Sequence, residues 1–266
     1  MALRKGRVAR RVIGFARHEA TVRRAKVRGA VNDGDTELCP DWLGHSDLVV
    51  IATPPDTVVK IARKIRDITE SSNASFILTD VASTKKQIVW VLERDLPDRI
   101  LYAGSHPMAG SEQSGILASE KGLFEKATCI VTRTSKTPTE AFRTVSKLWK
   151  SVGSRVVPMA PSRHDRLVAQ ISHVPHLVAV ALARSADREA LEICGSGFTS
   201  TTRLALSDPE LWEEIIRMNW SEVNRALGQL IKRLEKFKGE IRRKAFQKLL
   251  DEFRQAQLRR RRLRND

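Results

Sequence analysis

The chain has 266 residues, 41% hydrophobic and 29% charged, with a formal net charge of +16 at pH 7. That is enough for one or two domains with a real core, in the composition range of soluble globular proteins. No apolar run approaches the roughly 20 residues that cross a bilayer, and the basic N-terminus lacks the apolar segment of a signal peptide.

The excess charge sits at the two ends. Residues 1–28 hold ten Lys/Arg and one acid, and residues 232–266 hold fourteen Lys/Arg and five acids. The body between them is close to neutral, which argues against a nucleic-acid-binding core. The run Arg259–Arg262 reads either as a solvated terminus or as a contact for RNA or an acidic partner. Cys39, Cys129 and Cys194 are far apart and form no ligand spacing. Free thiols in a reducing cytoplasm are expected, with no metal.

In chain order, Met1–Arg7 reads as the end of a helix stopping at Gly6, and Arg11–Phe15 as a short buried strand. A helix of about twelve residues is expected next, up to a turn around Gly29. Residues 41–47 suggest a short helix. Leu48–Ala52 is apolar without alternation, as a parallel strand buried on both faces should be. It exits into Thr53-Pro54-Pro55-Asp56, where the prolines end the ladder and a threonine hydroxyl stands at the carboxyl end of the sheet.

An amphipathic helix is expected over 56–70, then a strand 76–79 that exits into Asp80-Val81-Ala82-Ser83-Thr84-Lys85-Lys86. Ser83 reads as a helix cap or as a group facing a ligand. The strand 100–103 leads into Gly104-Ser105-His106-Pro107-Met108-Ala109-Gly110-Ser111-Glu112, a glycine-punctuated loop able to hold one histidine in place. A strand over 128–132, a helix over 138–152 and a strand over 155–158 complete an alternating pattern of a doubly wound, mostly parallel sheet.

From Pro158 on only helical periodicity remains. His164, His173 and His176 fall within thirteen positions, with Pro175 inside the pattern, which predicts a kinked helix lining a cavity. Residues 195–203 form a small-residue loop ending in Arg203, a candidate carboxylate binder. Pro209 then opens a new helix after Ser207-Asp208, and an apolar stripe from Val223 to Ile241 reads as core or as a partner helix, which makes homodimerisation an expectation.

Five of these pieces, taken together and in this order, resemble the prephenate/arogenate dehydrogenases of tyrosine biosynthesis. They are Val49–Pro54, Thr79–Lys85, Gly104–Glu112, His164-Asp165 with Ser172–His176, and Gly197-Phe198 through Thr202-Arg203 to Asp208–Trp212. The resemblance covers about residues 1–240. It implies an N-terminal Rossmann-type doubly wound domain, 1–158, followed by an all-helical substrate and dimerisation domain, 159–266, with a basic tail.

It also implies oxidative decarboxylation of prephenate or arogenate with NAD or NADP. His106 would be the base, taking the proton of the substrate hydroxyl, and Ser83 would hydrogen-bond the same hydroxyl or orient His106. Arg203 would bind a substrate carboxylate. His176, Trp212, Ser111, Glu112, His164 and His173 would line or gate the substrate pocket, and Arg17, Thr53, Pro54, Asp80 and Val81 would contact the cofactor.

The family pattern opens with a strand and a G-x-G-x-x-G loop that are missing here. The expectation is either that Met1 is internal to a longer protein or that the chain is truncated and binds nucleotide poorly. Ala16-Arg17 stands where an acid would bind the ribose of NAD, which favours NADP. The competing readings are a related hydroxyacid dehydrogenase with a catalytic lysine, and an inactive dehydrogenase-fold protein that binds partners through its basic termini.

Overall fold

A computed structural model of the chain describes all residues except 7, 73, 111–114, 117, 118 and 264–266. The described chain divides into two compact units, Met1–Trp220 and Ser221–Asp266.

The first unit begins with α1 (Ala2–Lys5), β1 (Ile13–Phe15), α2 (Glu19–Val27) and β2 (Asp33–Asp35). β1 and β2 pair in parallel, Gly14 opposite Gly34. A Cβ on Gly34 would lie 2.2 Å from the Gly14 carbonyl oxygen, so the close approach of the two strands requires glycine there. After α3 (Pro40–Gly44) come β3 (Leu48–Ile51), a 3-10 turn Pro55–Thr57 and α4 (Val58–Ile68).

Next are β4 (Phe76–Asp80), α5 (Lys86–Asp95), β5 (Ile100–Tyr102) and β6 (Ser105–Pro107). They are followed by β7 (Thr128–Thr132), α6 (Thr139–Ser151) and β8 (Arg155–Met159). β3, β4 and β5 run parallel in that order, and β7 is parallel to β8. β6 pairs antiparallel with β7, His106 opposite Ile130. The His106 segment, read from sequence as part of a loop, is therefore a strand at its start.

β4 is buried along its whole length. Phe76 and Leu78 pack with α4 and α5 through Val58, Ala62, Ile65, Ile88 and Leu92. Ile77 points to the opposite face and packs with Ala141, Val145 and Trp149 of α6. A parallel strand with helices on both faces has no solvent side, which is why its first three residues, Phe76–Leu78, are apolar without alternation. This is the Rossmann-like arrangement, and every described element after β8 is helical.

That helical part opens with α7 (Pro161–Val168), a π-helical turn Ala169–His173 and α8 (Val174–Ser185). The stretch expected to kink contains a π turn just before Pro175, whose missing N–H is tolerated in the first turn of α8. The helical stretch Pro161–Ser185 is long and apolar enough, by length and composition, to cross a bilayer. Polar and charged residues interrupt its apolar run, and three of them, His164, Asp165 and His173, are buried. α9 (Arg188–Glu192), α10 (Ser196–Thr202), a 3-10 turn Arg203–Leu206 and α11 (Pro209–Met218) follow. The Asp208 carboxylate caps α11 by accepting from Glu210 N and Leu211 N.

The second unit contains most of α12 (Trp220–Arg242) and all of α13 (Phe246–Arg262). Glu252 of α13 pairs with Arg233 and Lys236 of α12. Ile231, Leu234, Ile241, Phe246 and Phe253 are exposed.

Candidate active site

The floor of the site is a buried polar cluster at the end of β4. Asp80 and Lys85 form an ion pair with neither side chain exposed. Tyr102 donates its hydroxyl to Asp80 Oδ2 at 2.7 Å, and Ala82 N donates to Oδ1 at 2.9 Å. Burial, reinforced by the Asp80 charge, holds the Tyr102 pKa well above its usual value, so the phenol stays a donor. Ser105 Oγ donates to the Asp80 carbonyl at 2.7 Å and lies 3.2 Å from Thr79 Oγ1.

Gly104 stands directly over this cluster. A Cβ there would come 2.7 Å from Tyr102 Oη, 2.9 Å from Thr132 Oγ1 and 3.2 Å from Asp80 Oδ2. The glycine before His106 is required by space rather than by flexibility.

His106 follows on β6. Its Nδ1 lies 2.8 Å from His164 Nε2, and the two rings meet edge to face with centroids 5.0 Å apart. His164 Nδ1 lies 2.7 Å from Asp165 Oδ1. The Asp165 carboxylate also accepts Lys85 N and Lys86 N, at 2.8 and 2.9 Å, and so caps the N-terminus of α5 from α7. Asp165 rather than Ser83 supplies the side-chain cap of α5. Ser83 is half-buried in the turn between β4 and α5.

Burial first, then the nearby His164, Lys85 and His173, hold the His106 pKa well below the usual histidine value. Burial also lowers that of His164, against the raising effect of its bond to Asp165. Both rings are therefore neutral at pH 7.

Trp212 of α11 is flanked by two histidines. His176 stacks on it with ring centroids 3.3 Å apart, and His173 meets it edge-on at 6.0 Å. His176 donates from Nδ1 to the Ser172 carbonyl at 3.0 Å. Burial lowers its pKa, that bond opposes the shift, and the charge of Arg203 adds to the lowering. Arg203, exposed at the end of α10, thus acts electrostatically on the same wall. His173 is buried with its Nδ1 3.2 Å from the Asn219 amide nitrogen.

Of the residues expected at the cofactor, Arg17 is exposed just after β1, and Thr53-Pro54 and Asp80-Val81 stand at the carboxyl ends of the adjacent parallel strands β3 and β4. Thr53 Oγ1 accepts from Thr57 Oγ1 at 2.8 Å. The Asp80 carboxylate is fully committed inside the protein. Arg17 presents a cation, and no acid follows β1 before Glu19. Ser111 and Glu112 lie outside the described residues.

Sequence reasoning assigned no role to Asp165, Lys85, Tyr102 or Asn219. The adjacent pair His164-Asp165 and the spacing from Asp80 to Lys85 were the available signals.

The model of the prephenate dehydrogenase nucleotide-binding domain matches residues 1–158, and that of the prephenate dehydrogenase dimerization domain matches residues 160–255. A prephenate dehydrogenase of Bacillus subtilis is 28% identical over 262 residues, covering 96% of this chain and 70% of that protein. A cyclohexadienyl dehydrogenase of Zymomonas mobilis is 28% identical over 246 residues, covering 89% and 83%. Among solved structures, prephenate dehydrogenase from A. aeolicus in complex with hydroxyphenyl propionate and NAD+ superposes with a TM-score of 0.89 at 31% identity, covering 97% of this chain and 91% of the other. Synechocystis arogenate dehydrogenase gives 0.79 at 25% identity, covering 96% and 91%.

Proposed function

Because this chain belongs to the prephenate dehydrogenase family, whose two domain models together match almost all of it, we propose that it oxidatively decarboxylates prephenate or arogenate with a nicotinamide dinucleotide. The observation that carries this reading is His106, partly buried, neutral at pH 7 and bonded from behind by His164.

The substrate is a cyclohexadienol. Loss of hydride from the hydroxyl-bearing carbon builds positive charge there, and the hydroxyl proton must leave. A neutral imidazole is the right base for that proton near pH 7. Ser83 would hydrogen-bond the same hydroxyl, Arg203 would pair with a substrate carboxylate, and the stacked His176 and Trp212 would wall the ring. The ring becomes aromatic as carbon dioxide departs, which drives the second half of the reaction.

When bound, the nicotinamide supplies the hydride acceptor. Residues 1–158 would hold the dinucleotide, with Thr53, Pro54 and Val81 on the nicotinamide side and Arg17 at the ribose. The Arg17 cation favours NADP, since it would pair with a 2′-phosphate that an acid there would repel. Residues 159–266 would bind substrate and form a homodimer. Exposed Ile171, Ile193 and Leu206 support that interface. The three free cysteines suit a cytoplasmic setting.

The test is reduction of NADP or NAD with prephenate and with arogenate. His106→Asn should lower kcat by ~10²–10⁴-fold while substrate still binds, the range for losing a general base. Undiminished turnover in that variant would remove His106 from the mechanism.

A further inference from the structure

The three side chains behind the base carry more information than its position. The Asp165 carboxylate takes three donors, the main-chain N–H groups of Lys85 and Lys86 and the ring of His164. It is an acceptor only, so His164 Nδ1 must carry the hydrogen between them. The His164 ring being neutral, its Nε2 is then a bare acceptor. That nitrogen faces His106 Nδ1 at 2.8 Å. Of the two neutral forms of His106, only the one protonated on Nδ1 satisfies this contact, and it leaves Nε2 with its lone pair. Asn219 fixes the base of the relay by donating to the Asp165 carbonyl at 2.8 Å. His164 is fully buried and Asp165 nearly so, which excludes water as a substitute partner.

We propose that His164, anchored by Asp165, is a positioning residue that selects the Nδ1-protonated form of His106 and so keeps Nε2 free to accept the substrate proton. The inference rests on the reading of His106 as the base. With the opposite tautomer, the nitrogen turned away from His164 would already hold a hydrogen and could not act. The same carboxylate also holds the first turn of α5, next to Ser83, so the base and the turn beside it are set by one anchor.

Two substitutions separate tautomer control from simple packing. The side-chain oxygen of His164→Gln can stand where Nε2 stands and accept from His106, whereas His164→Phe fills the space and accepts nothing. The readout is the side-chain ¹⁵N NMR spectrum of His106 in the whole chain, assigned by the signal lost in His106→Asn, together with kcat, KM and the pH profile.

The expected result is a protonated Nδ1 and a bare Nε2 in the unsubstituted protein and in His164→Gln, and loss of that pattern in His164→Phe. Turnover should fall by ~10²-fold or more in His164→Phe with KM little changed, and by clearly less in His164→Gln. A hydrogen on His106 Nε2 in the unsubstituted protein overturns the proposal, as does a His164→Phe protein with the original spectrum and pH profile. If His164→Phe does not fold, the spectra of the other two proteins still decide. A protein with the Nδ1-protonated ring but no dehydrogenase activity would sink the assigned reaction and leave the tautomer relay standing.

Discussion

Lys85 and Asp80 form an ion pair in which neither side chain reaches solvent. The pair lies beneath the histidine strand, and its carboxylate also receives the Tyr102 hydroxyl. Truncating the lysine leaves a buried charge without a counter-charge. Lys85→Met should therefore destabilise the fold by about 3–5 kcal/mol, the usual cost of removing one partner of a buried pair. Denaturant titration checks this, and Asp80→Asn combined with Lys85→Met should recover part of the loss. A midpoint unchanged in Lys85→Met would show that the pair contributes nothing to stability.

The buried histidines predict how stability depends on acid. Burial lowers the His173 pKa to about 4. The unfolded chain takes up that proton near pH 6.5, while the native state resists it. Stability contributed by the neutral ring is thus full above about pH 6.5 and is lost as pH falls toward 4. The loss is on the order of 3 kcal/mol at 1.4 kcal/mol per unit. His106 and His164, also shifted downward, act with the same sign. Thermal melts from pH 7.5 to 4.5 should show a falling Tm. The fall should be shallower in His173→Gln, and a parallel curve in that variant would exclude His173 as a source.

Substrate charge gives a third expectation. Arg203→Ala should raise KM by roughly tenfold to a hundredfold, in line with the ~1.5–3 kcal/mol of a hydrogen bond to a charged group. Because His176 feels the Arg203 cation, its pKa should also rise in that variant. An unaltered KM would sink the carboxylate-binding role.

Cofactor choice gives a fourth. Arg17→Glu should weaken NADP more than NAD, because the new carboxylate repels a 2′-phosphate and can bond a ribose hydroxyl. Equal losses for the two nucleotides, measured as Kd by titration, would detach Arg17 from the choice.

Much of the fold was legible because it rests on local signals. The run Phe76–Leu78 is apolar because helices cover both its faces, and the stripe Val58, Ala62, Ile65 falls on one side of a helix. β2 was not legible. Asp33-Gly34-Asp35 has no apolar residue, and it is a strand only because its backbone pairs with Ile13–Phe15. Strand β6 was hidden for a similar reason, since Ser-His-Pro has no strand pattern and is held by β7.

The site divides the same way. His106, Ser83 and Arg203 stand in motifs that can be read along the chain. Lys85 closes one of the matched pieces, but its partner is not readable there, and only the turn after β4 brings it back to Asp80. Asp165 stands in the matched pair with His164, yet its main-chain partners lie about eighty residues upstream at the start of α5. Long-range pairing of this kind leaves no trace in spacing.

The π-helical turn at Ala169–His173 sets a rotation between the helices on either side of it. Each residue of a regular helix advances the chain by about 100°, so deleting one residue from this turn would wind it back to regular form and rotate all of α8 against α7. His164 would keep its place beside His106, while His176 would swing off the Trp212 ring it now covers. The number of residues in this single turn is therefore a rotational setting that keeps the two histidine faces in phase. Substitutions here should be tolerated far better than a one-residue deletion.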